Sequence, residues 1–310
     1  MISHQFEIER TTANIMEVFG KQIHLRQYVC SPQGGYTCAN SRVNLYIYAS
    51  GFCPAKCSFC PGFDSRSKID LGKLKAAVSE LHDKKVINRI GITGGEPLSD
   101  LKSLDQILQT IHEVCGEKAY HISVNTNGLN LSSLRNINYF SLLNDVHISR
   151  HSINDYENNK IFGINTPTLL QIKHEASLNP EIFSLSCNLL KGYVDSVDTL
   201  QSYLTGAILV GVRQAGFVSL MKKTEICTDL FVDYEDISSK LYVSNGFSLD
   251  EMSKDKESCR CENFTYYNDK GEIPFYLRRV LGGKADCIKA FVFNQDGNLV
   301  TNFGKDMVLL

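Results

Sequence analysis

No charge of either sign dominates this sequence: 32 Lys and Arg stand against 34 Asp and Glu, a formal net charge of −2. So even a balance makes no electrostatic case for a nucleic-acid or anionic-membrane surface. Glycine and proline are sparse, 22 and 7 in 310 residues, which excludes a collagen-like chain. With 43% hydrophobic and 21% charged residues, wholesale disorder is excluded too. No apolar run approaches the roughly 20 residues that span a bilayer; the longest, AILVGV, occupies 207–212. No basic leader followed by an apolar run opens the chain, so the expected location is the cytoplasm, with no membrane partner. Internal repeats and low-complexity linkers are absent as well.

What the chain does have is cysteine, eleven of them. A disulfide-stapled secreted domain wants a short chain, an export signal and an even count, and none of these is met. In a reducing compartment, clustered thiols more often bind metal. The length bounds the fold between one large α/β domain and a medium domain with an appendage.

Hydrophobic periodicity predicts a lead-in over 1–42, then a buried strand at 43–49 followed at once by a cysteine-rich loop. Leu71, Leu74, Val78 and Leu81 predict a helix over 70–82, and 86–92 reads as a strand running into Thr93-Gly94-Gly95-Glu96-Pro97. A helix over 101–114 precedes a strand at 120–124 that ends in Asn125-Thr126-Asn127-Gly128. Further strands are expected at 145–149, 182–188 and 208–212, with helices near 166–177 and 195–204. This alternation predicts an α/β fold with a right-handed, mostly parallel sheet over 43–221. Two hairpin turns, Asn268-Asp269-Lys270-Gly271 and Asn294-Gln295-Asp296-Gly297, predict a small β-rich module over 222–310.

Cys53, Cys57 and Cys60 form a C-x3-C-x2-C set at the carboxyl end of the first long strand. Three soft ligands from one loop suit a metal or iron–sulfur centre, and a four-iron cubane held by three cysteines keeps one iron open. Structural zinc, with Cys30, Cys38 or His82 as fourth ligand, fits the spacing as well. The run Gly51-Phe52-Cys53-Pro54-Ala55-Lys56-Cys57-Ser58-Phe59-Cys60 resembles the signature of the radical S-adenosylmethionine (radical SAM) superfamily. The resemblance implies that the three cysteines hold a [4Fe-4S] cluster and that Phe59 packs near the adenine of S-adenosylmethionine.

Further residues extend the resemblance. Ile92-Thr93-Gly94-Gly95-Glu96-Pro97 looks like the family's glycine-glycine-glutamate-proline strand end, implying that Gly94, Gly95 and Glu96 meet the cofactor's amino group. Asn188 to Asp195 and the segment Gly211-Val212-Arg213 resemble strand regions of the molybdenum-cofactor GTP cyclase branch. They imply that Asn188, Val212 and the fourth-strand residue Ser149 lie around the cofactor, with Asn125 as a further cavity residue. The cyclase's glycine-arginine-arginine tail and its C-x2-C auxiliary spacing are absent. The implied fold is a partial (β/α)6 barrel over 43–221 with chemistry at the carboxyl ends of its strands. The implied activity is reductive cleavage of S-adenosylmethionine and hydrogen abstraction from a small molecule or peptide, fed by a one-electron donor such as flavodoxin or ferredoxin.

Cys259, Cys261 and Cys287, with Cys227 as a possible fourth, make a second candidate metal set. Their layout around the two hairpins resembles the twitch domain that binds an auxiliary [4Fe-4S] cluster, with structural zinc and non-ligating thiols as alternatives. Arg150, His151 and Arg213 are candidate substrate contacts, since a guanidinium fork suits a phosphate or carboxylate; the alternative pairs them with Asp145, Asp155 or Glu157. Outside catalysis, the same cysteines would suit a metal-stabilised binding or electron-transfer protein.

Overall fold

In the computed structural model, which describes residues 15–25, 42–60, 62, 67–220, 225–249, 262–278, 288, 290–301 and 308–310, the sheet is built on period-two burial. After a short hairpin, β1 (Ile15–Val18) and β2 (Lys21–His24), strand β3 (Val43–Ser50) buries Val43, Leu45, Ile47 and Ala49 on one face. Asn44, Tyr46, Tyr48 and Ser50 alternate with them and stay half-buried on the other. The buried face packs under helix α1 (Leu71–Asp83) and helix α2 (Leu101–Cys115), which contribute Leu74, Val78, Leu81, Leu104, Leu108 and Ile111. Asp70 and Asp100 start these helices by accepting from the amides of Lys73 and Ser103.

The chain then alternates through β4 (Ile87–Gly94), β5 (His121–Thr126), β6 (Asp145–Ser149), α3 (Asp155–Phe162), α4 (Leu169–Leu178), β7 (Phe183–Leu189), α5 (Val197–Val210) and β8 (Gln214–Ser219). Two short 3-10 turns, not an α-helix, connect β5 to β6. Helices α6 (Glu225–Asp229) and α7 (Tyr234–Leu241) and strands β9 (Phe247–Leu249), β10 (Glu262–Asn268), β11 (Gly271–Arg278), β12 (Ala290–Phe293) and β13 (Leu299–Thr301) follow. The sheet order is β13-β12-β3-β4-β5-β6-β7-β8-β11-β10-β9. Strands β3 to β8 pair in parallel as the expected partial barrel, and the α/β class holds.

Both expected hairpins form, Asn268 opposite Gly271 and Phe293 opposite Leu299. They join the same sheet at its two ends: β11 pairs in parallel with β8, and β12 in parallel with β3. The barrel interior is therefore flanked by strands from the C-terminal region on both sides. One expected strand is corrected. AILVGV was predicted as a strand over 208–212, but α5 runs on to Val210, and the strand begins at Gln214. A short buried apolar run does not distinguish helix from strand. Here the Ser196–Thr199 capping box starts a helix that ends only at Gly211, whose φ of 80° suits glycine.

No helix among the described residues is long and apolar enough to cross a membrane.

Candidate active site at the carboxyl ends of the strands

The loop carrying Cys53, Cys57 and Cys60 leaves the carboxyl end of β3 and is tied down by backbone hydrogen bonds. Gly95 N donates to Ser50 O and Glu96 N to Phe52 O, both at 2.8 Å, while Lys56 N donates to Phe162 O at 2.8 Å. Glycine is required at position 95 because a Cβ there would stand 2.3 Å from Phe52 O and 2.9 Å from Ser50 O. At Gly94, φ of +106° and a Cβ position 2.9 Å from the Tyr48 backbone make the same demand. The two glycines thus let the thiol loop close on the end of β4.

Glu96 is 1% exposed and joins two strand ends. Its Oε1 accepts from Leu98 N at 2.8 Å and from the Thr126 hydroxyl, and its Oε2 accepts from Asn127 N at 2.7 Å. Burial raises its pKa to about 7 against the lowering effect of these donors. Asn127 in turn points its side-chain amide at Cys53 Sγ, 3.8 Å away. Sequence reasoning singled out Asn125 from this strand end and passed over Asn127; the Asn-Thr-Asn-Gly turn was the signal.

Burial raises the Cys53 thiol, and burial followed by the neighbouring Cys60 and Cys53 pushes Cys57 up to about 12. Cys53 and Cys57, desolvated and repelled by their thiol neighbours, are poor thiolates unless a cation sits beside them. Among the described residues no three His, Cys, Asp or Glu side chains are drawn together tightly enough to hold a metal ion as they stand. The fit to an iron–sulfur cluster therefore rests on the donor chemistry, soft ligands on one loop, and on the loop's anchorage to β4 and α3.

His151 is buried, with its ring stacked on Phe162 at 5.0 Å and edge-on to Phe59 at 5.2 Å. Its Nδ1 accepts from Asn188 N at 3.0 Å, and burial lowers its pKa to about 3, so the ring is neutral. His151 thereby links two expected cofactor neighbours, Phe59 and Asn188. Ser149 and Asn125 lie at the ends of β6 and β5, half-buried, while Val212 is buried just ahead of β8.

Arg150 is placed differently from the two neighbours that flank it. It is 1% exposed, and its guanidinium donates to Pro167 O at 3.0 Å, to Ile153 O at 3.2 Å and to the Asp155 carboxylate. Its backbone N donates to Ser186 O and its carbonyl accepts from the Tyr203 hydroxyl. This clamp fixes the turn after β6. Arg150→Ala is expected to cost about 1–3 kcal/mol, because it leaves the Pro167 and Ile153 carbonyls without their buried donor, while Asp155 is partly exposed and regains water; a urea denaturation midpoint measures it. Arg213, just ahead of β8, pairs with Asp145 at the amino end of β6, the opposite end of the strands from the thiol loop.

Cys227 is buried on α6, and its thiol donates to Phe59 O at 3.5 Å, against the Cys53–Cys60 loop. Cys259, Cys261, Cys287, Cys30 and Cys38 lie outside the described residues. His82 has Nδ1 2.7 Å from the Tyr120 hydroxyl. A cleft of about 830 Å³ opens between residues 128–132 and α4, and none of the thiols lines it.

Comparison with known proteins bears on this geometry. The sequence description of the Radical SAM superfamily matches residues 47–173, a segment containing the thiol loop, the Gly-Gly-Glu strand end and β5 to α4. No curated protein sequence matches the chain. Among solved structures, Streptococcus suis SuiB bound to precursor peptide SuiA is similar with a TM-score of 0.58 at 13% identity, over 84% of this chain and 59% of that one. SuiB bound to S-adenosylmethionine gives 0.55 at 14% identity, over 84% and 60%. The likeness is one of fold, and the chain spans about 60% of the length of SuiB. Residues 47–173 of the chain thus match the Radical SAM superfamily, and the fold around them is similar to that of SuiB.

Proposed function

We propose that this protein is a radical SAM enzyme that abstracts hydrogen from a small metabolite, nucleotide or peptide. The single observation that carries the reading is the three-thiol loop at the carboxyl end of β3, closed by Gly95 and Glu96 onto the end of β4. Cys53, Cys57 and Cys60 hold a [4Fe-4S] cluster with an open iron, and Phe59, Gly94, Gly95, Asn125, Ser149, Asn188 and Val212 surround S-adenosylmethionine. When bound, this pair supplies reductive cleavage of the sulfonium and a 5′-deoxyadenosyl radical.

The chain's own residues do the positioning. Glu96 accepts hydrogen bonds from both β5-end donors and so holds Asn127 toward Cys53. Neutral His151 keeps Phe59 and Asn188 in register without adding charge beside a cationic cofactor. A partial barrel shields the reacting centre from water. Electrons come from a one-electron donor such as flavodoxin or ferredoxin. Cys259, Cys261 and Cys287 in the C-terminal region, taken from about 222 onward, hold a second [4Fe-4S] cluster.

A peptide substrate is the alternative within the class, favoured by the fold likeness to SuiB in complex with its precursor peptide. Anaerobic reconstitution with iron and sulfide tests the function: reductant-dependent release of 5′-deoxyadenosine is expected, with about eight irons per chain if both clusters form. Tightly bound zinc with no cleavage of S-adenosylmethionine overturns it.

A further inference from the structure

The ends of three neighbouring strands, β3, β4 and β5, meet at the thiol loop, and one side chain reaches from the third to the first. Asn127, just past β5, is 6% exposed and turns its side-chain Nδ2 to Cys53 Sγ, 3.8 Å away.

The turn decides which end of this amide faces the sulfur. Asn127 Oδ1 accepts from Leu129 N at 2.9 Å, and only an oxygen can meet a backbone N–H, so the NH2 is the end turned to Cys53. The backbone of Asn127 is held separately. Its N donates to Glu96 Oε2 at 2.7 Å, and Glu96 is itself fixed by Leu98 N and the Thr126 hydroxyl. Thr126 Oγ1 accepts in turn from Gly128 N at 2.9 Å. Gly128 closes the turn at φ of +86°, where a Cβ would stand 2.7 Å from Pro167 Cγ. Swinging the amide off the sulfur therefore breaks a hydrogen bond within a buried turn.

We propose that Asn127 sets the reduction potential of the cluster held by Cys53, Cys57 and Cys60, its amide donating to Cys53 Sγ and so favouring the reduced form. The inference rests on the radical SAM function proposed above and adds a control over its first electron. Reduction takes one electron from the flavodoxin or ferredoxin class of donor and no proton, so negative charge grows on the irons and their sulfurs. A hydrogen bond to a ligand sulfur stabilises the more negative state more than the less negative one, which raises the potential. Burial of the loop acts in the opposite direction, because a desolvated site resists added charge. The Ala55 backbone is a further donor to Cys53, so Asn127 carries part of the effect. Unlike Ala55, Asn127 comes from another strand, which makes the potential depend on how the β4 and β5 ends are joined.

The test is a mediated redox titration of the anaerobically reconstituted protein, followed through the electron paramagnetic resonance signal that S-adenosylmethionine shifts. Asn127→Ser keeps an oxygen that can accept from Leu129 N and removes the group that reaches the sulfur. At a fixed potential its ratio of reduced to oxidised cluster is expected to fall about tenfold, 59 mV for one electron. Asn127→Ala is expected to lower the midpoint as far while losing more stability in urea, since it also strands Leu129 N. Asn138→Ser, which removes only an exposed hydrogen bond to Asp105, leaves the midpoint unchanged. Iron content and near-ultraviolet dichroism identify a variant that has lost its cluster or its fold, and the other of the pair then decides. Midpoints equal to wild type in the Asn127 variants, or raised, overturn this inference while cleavage of S-adenosylmethionine stands. A midpoint that falls in the alanine variant alone follows the turn rather than the amide and overturns it as well. A wild-type protein with no cluster signal responsive to S-adenosylmethionine and no 5′-deoxyadenosine formation instead overturns the radical SAM reading, and this inference with it.

Discussion

Replacing Cys53, Cys57 and Cys60 together with alanine is expected to lower the iron content of the reconstituted protein by about four atoms per chain and to abolish 5′-deoxyadenosine formation. The physical reason is the position of the loop. Each thiol belongs to one short segment held at three points, to Ser50, Phe52 and Phe162, so the backbone persists when the sulfurs are removed. Far-ultraviolet dichroism of the variant should match wild type, since the strands and helices beneath the loop bury their own apolar faces. Iron retained in full by the triple variant would place the cluster elsewhere.

The second large effect needs only one methyl group. Gly95→Ala puts a Cβ 2.3 Å from Phe52 O and 2.6 Å from its carbonyl carbon, and backbone has nowhere to rotate away. Either the thiol loop lifts from β4 or the end of β4 moves, and both 2.8 Å hydrogen bonds that close the loop are lost. Overpacking of this kind costs about 1–3 kcal/mol, and a displacement near 1 Å at a reacting centre costs roughly a hundredfold in rate. The initial rate of 5′-deoxyadenosine release at saturating S-adenosylmethionine and the denaturation midpoint measure the two effects. Gly72→Ala is the matched control. That residue opens α1 with ordinary φ and only the Asp70 side chain at 3.4 Å, so alanine there is expected to be neutral or to stabilise by about 0.5–1 kcal/mol. Equal losses at positions 95 and 72 would contradict the role of the close approach.

How much of this was legible in the sequence depends on whether a feature is local. The thiol loop, the Gly-Gly-Glu strand end and the alternation of strand and helix through β7 are local, and the structure places them as the spacing predicts. The direction of a side chain at a strand end is not local. Arg150 was read as a substrate contact or as a partner of a nearby carboxylate such as Asp155, and only the fold decides between them: α3 and Pro167 come back over the end of β6, so Arg150 takes Asp155 and His151 stacks on Phe162.

Long-range pairing was hidden for the same reason. Cys227 meets Phe59 across 168 positions of chain, a contact that no pattern on α6 announces. The parallel addition of β11 to β8 and of β12 to β3 was likewise out of reach, since each hairpin's own pattern specifies only its antiparallel partner. That pairing sets Tyr276 and Arg278 beside Gly216 and Val218 of β8, a placement no local pattern announces. Glu96 shows the intermediate case. Its motif marked the position, while its three donors, one of them the amide of Asn127 that faces Cys53, came only with the fold.

The central claim is that the Cys53–Cys60 loop holds a cluster whose open iron faces S-adenosylmethionine. Electron paramagnetic resonance of the anaerobically reduced protein, recorded with and without S-adenosylmethionine, tests it most directly. The account predicts a reduced-cluster signal whose g-values shift when S-adenosylmethionine is added, and no such shift in the Cys53, Cys57 and Cys60 triple-alanine variant. A wild-type signal indifferent to S-adenosylmethionine, or a shift that survives in the triple variant, would contradict it.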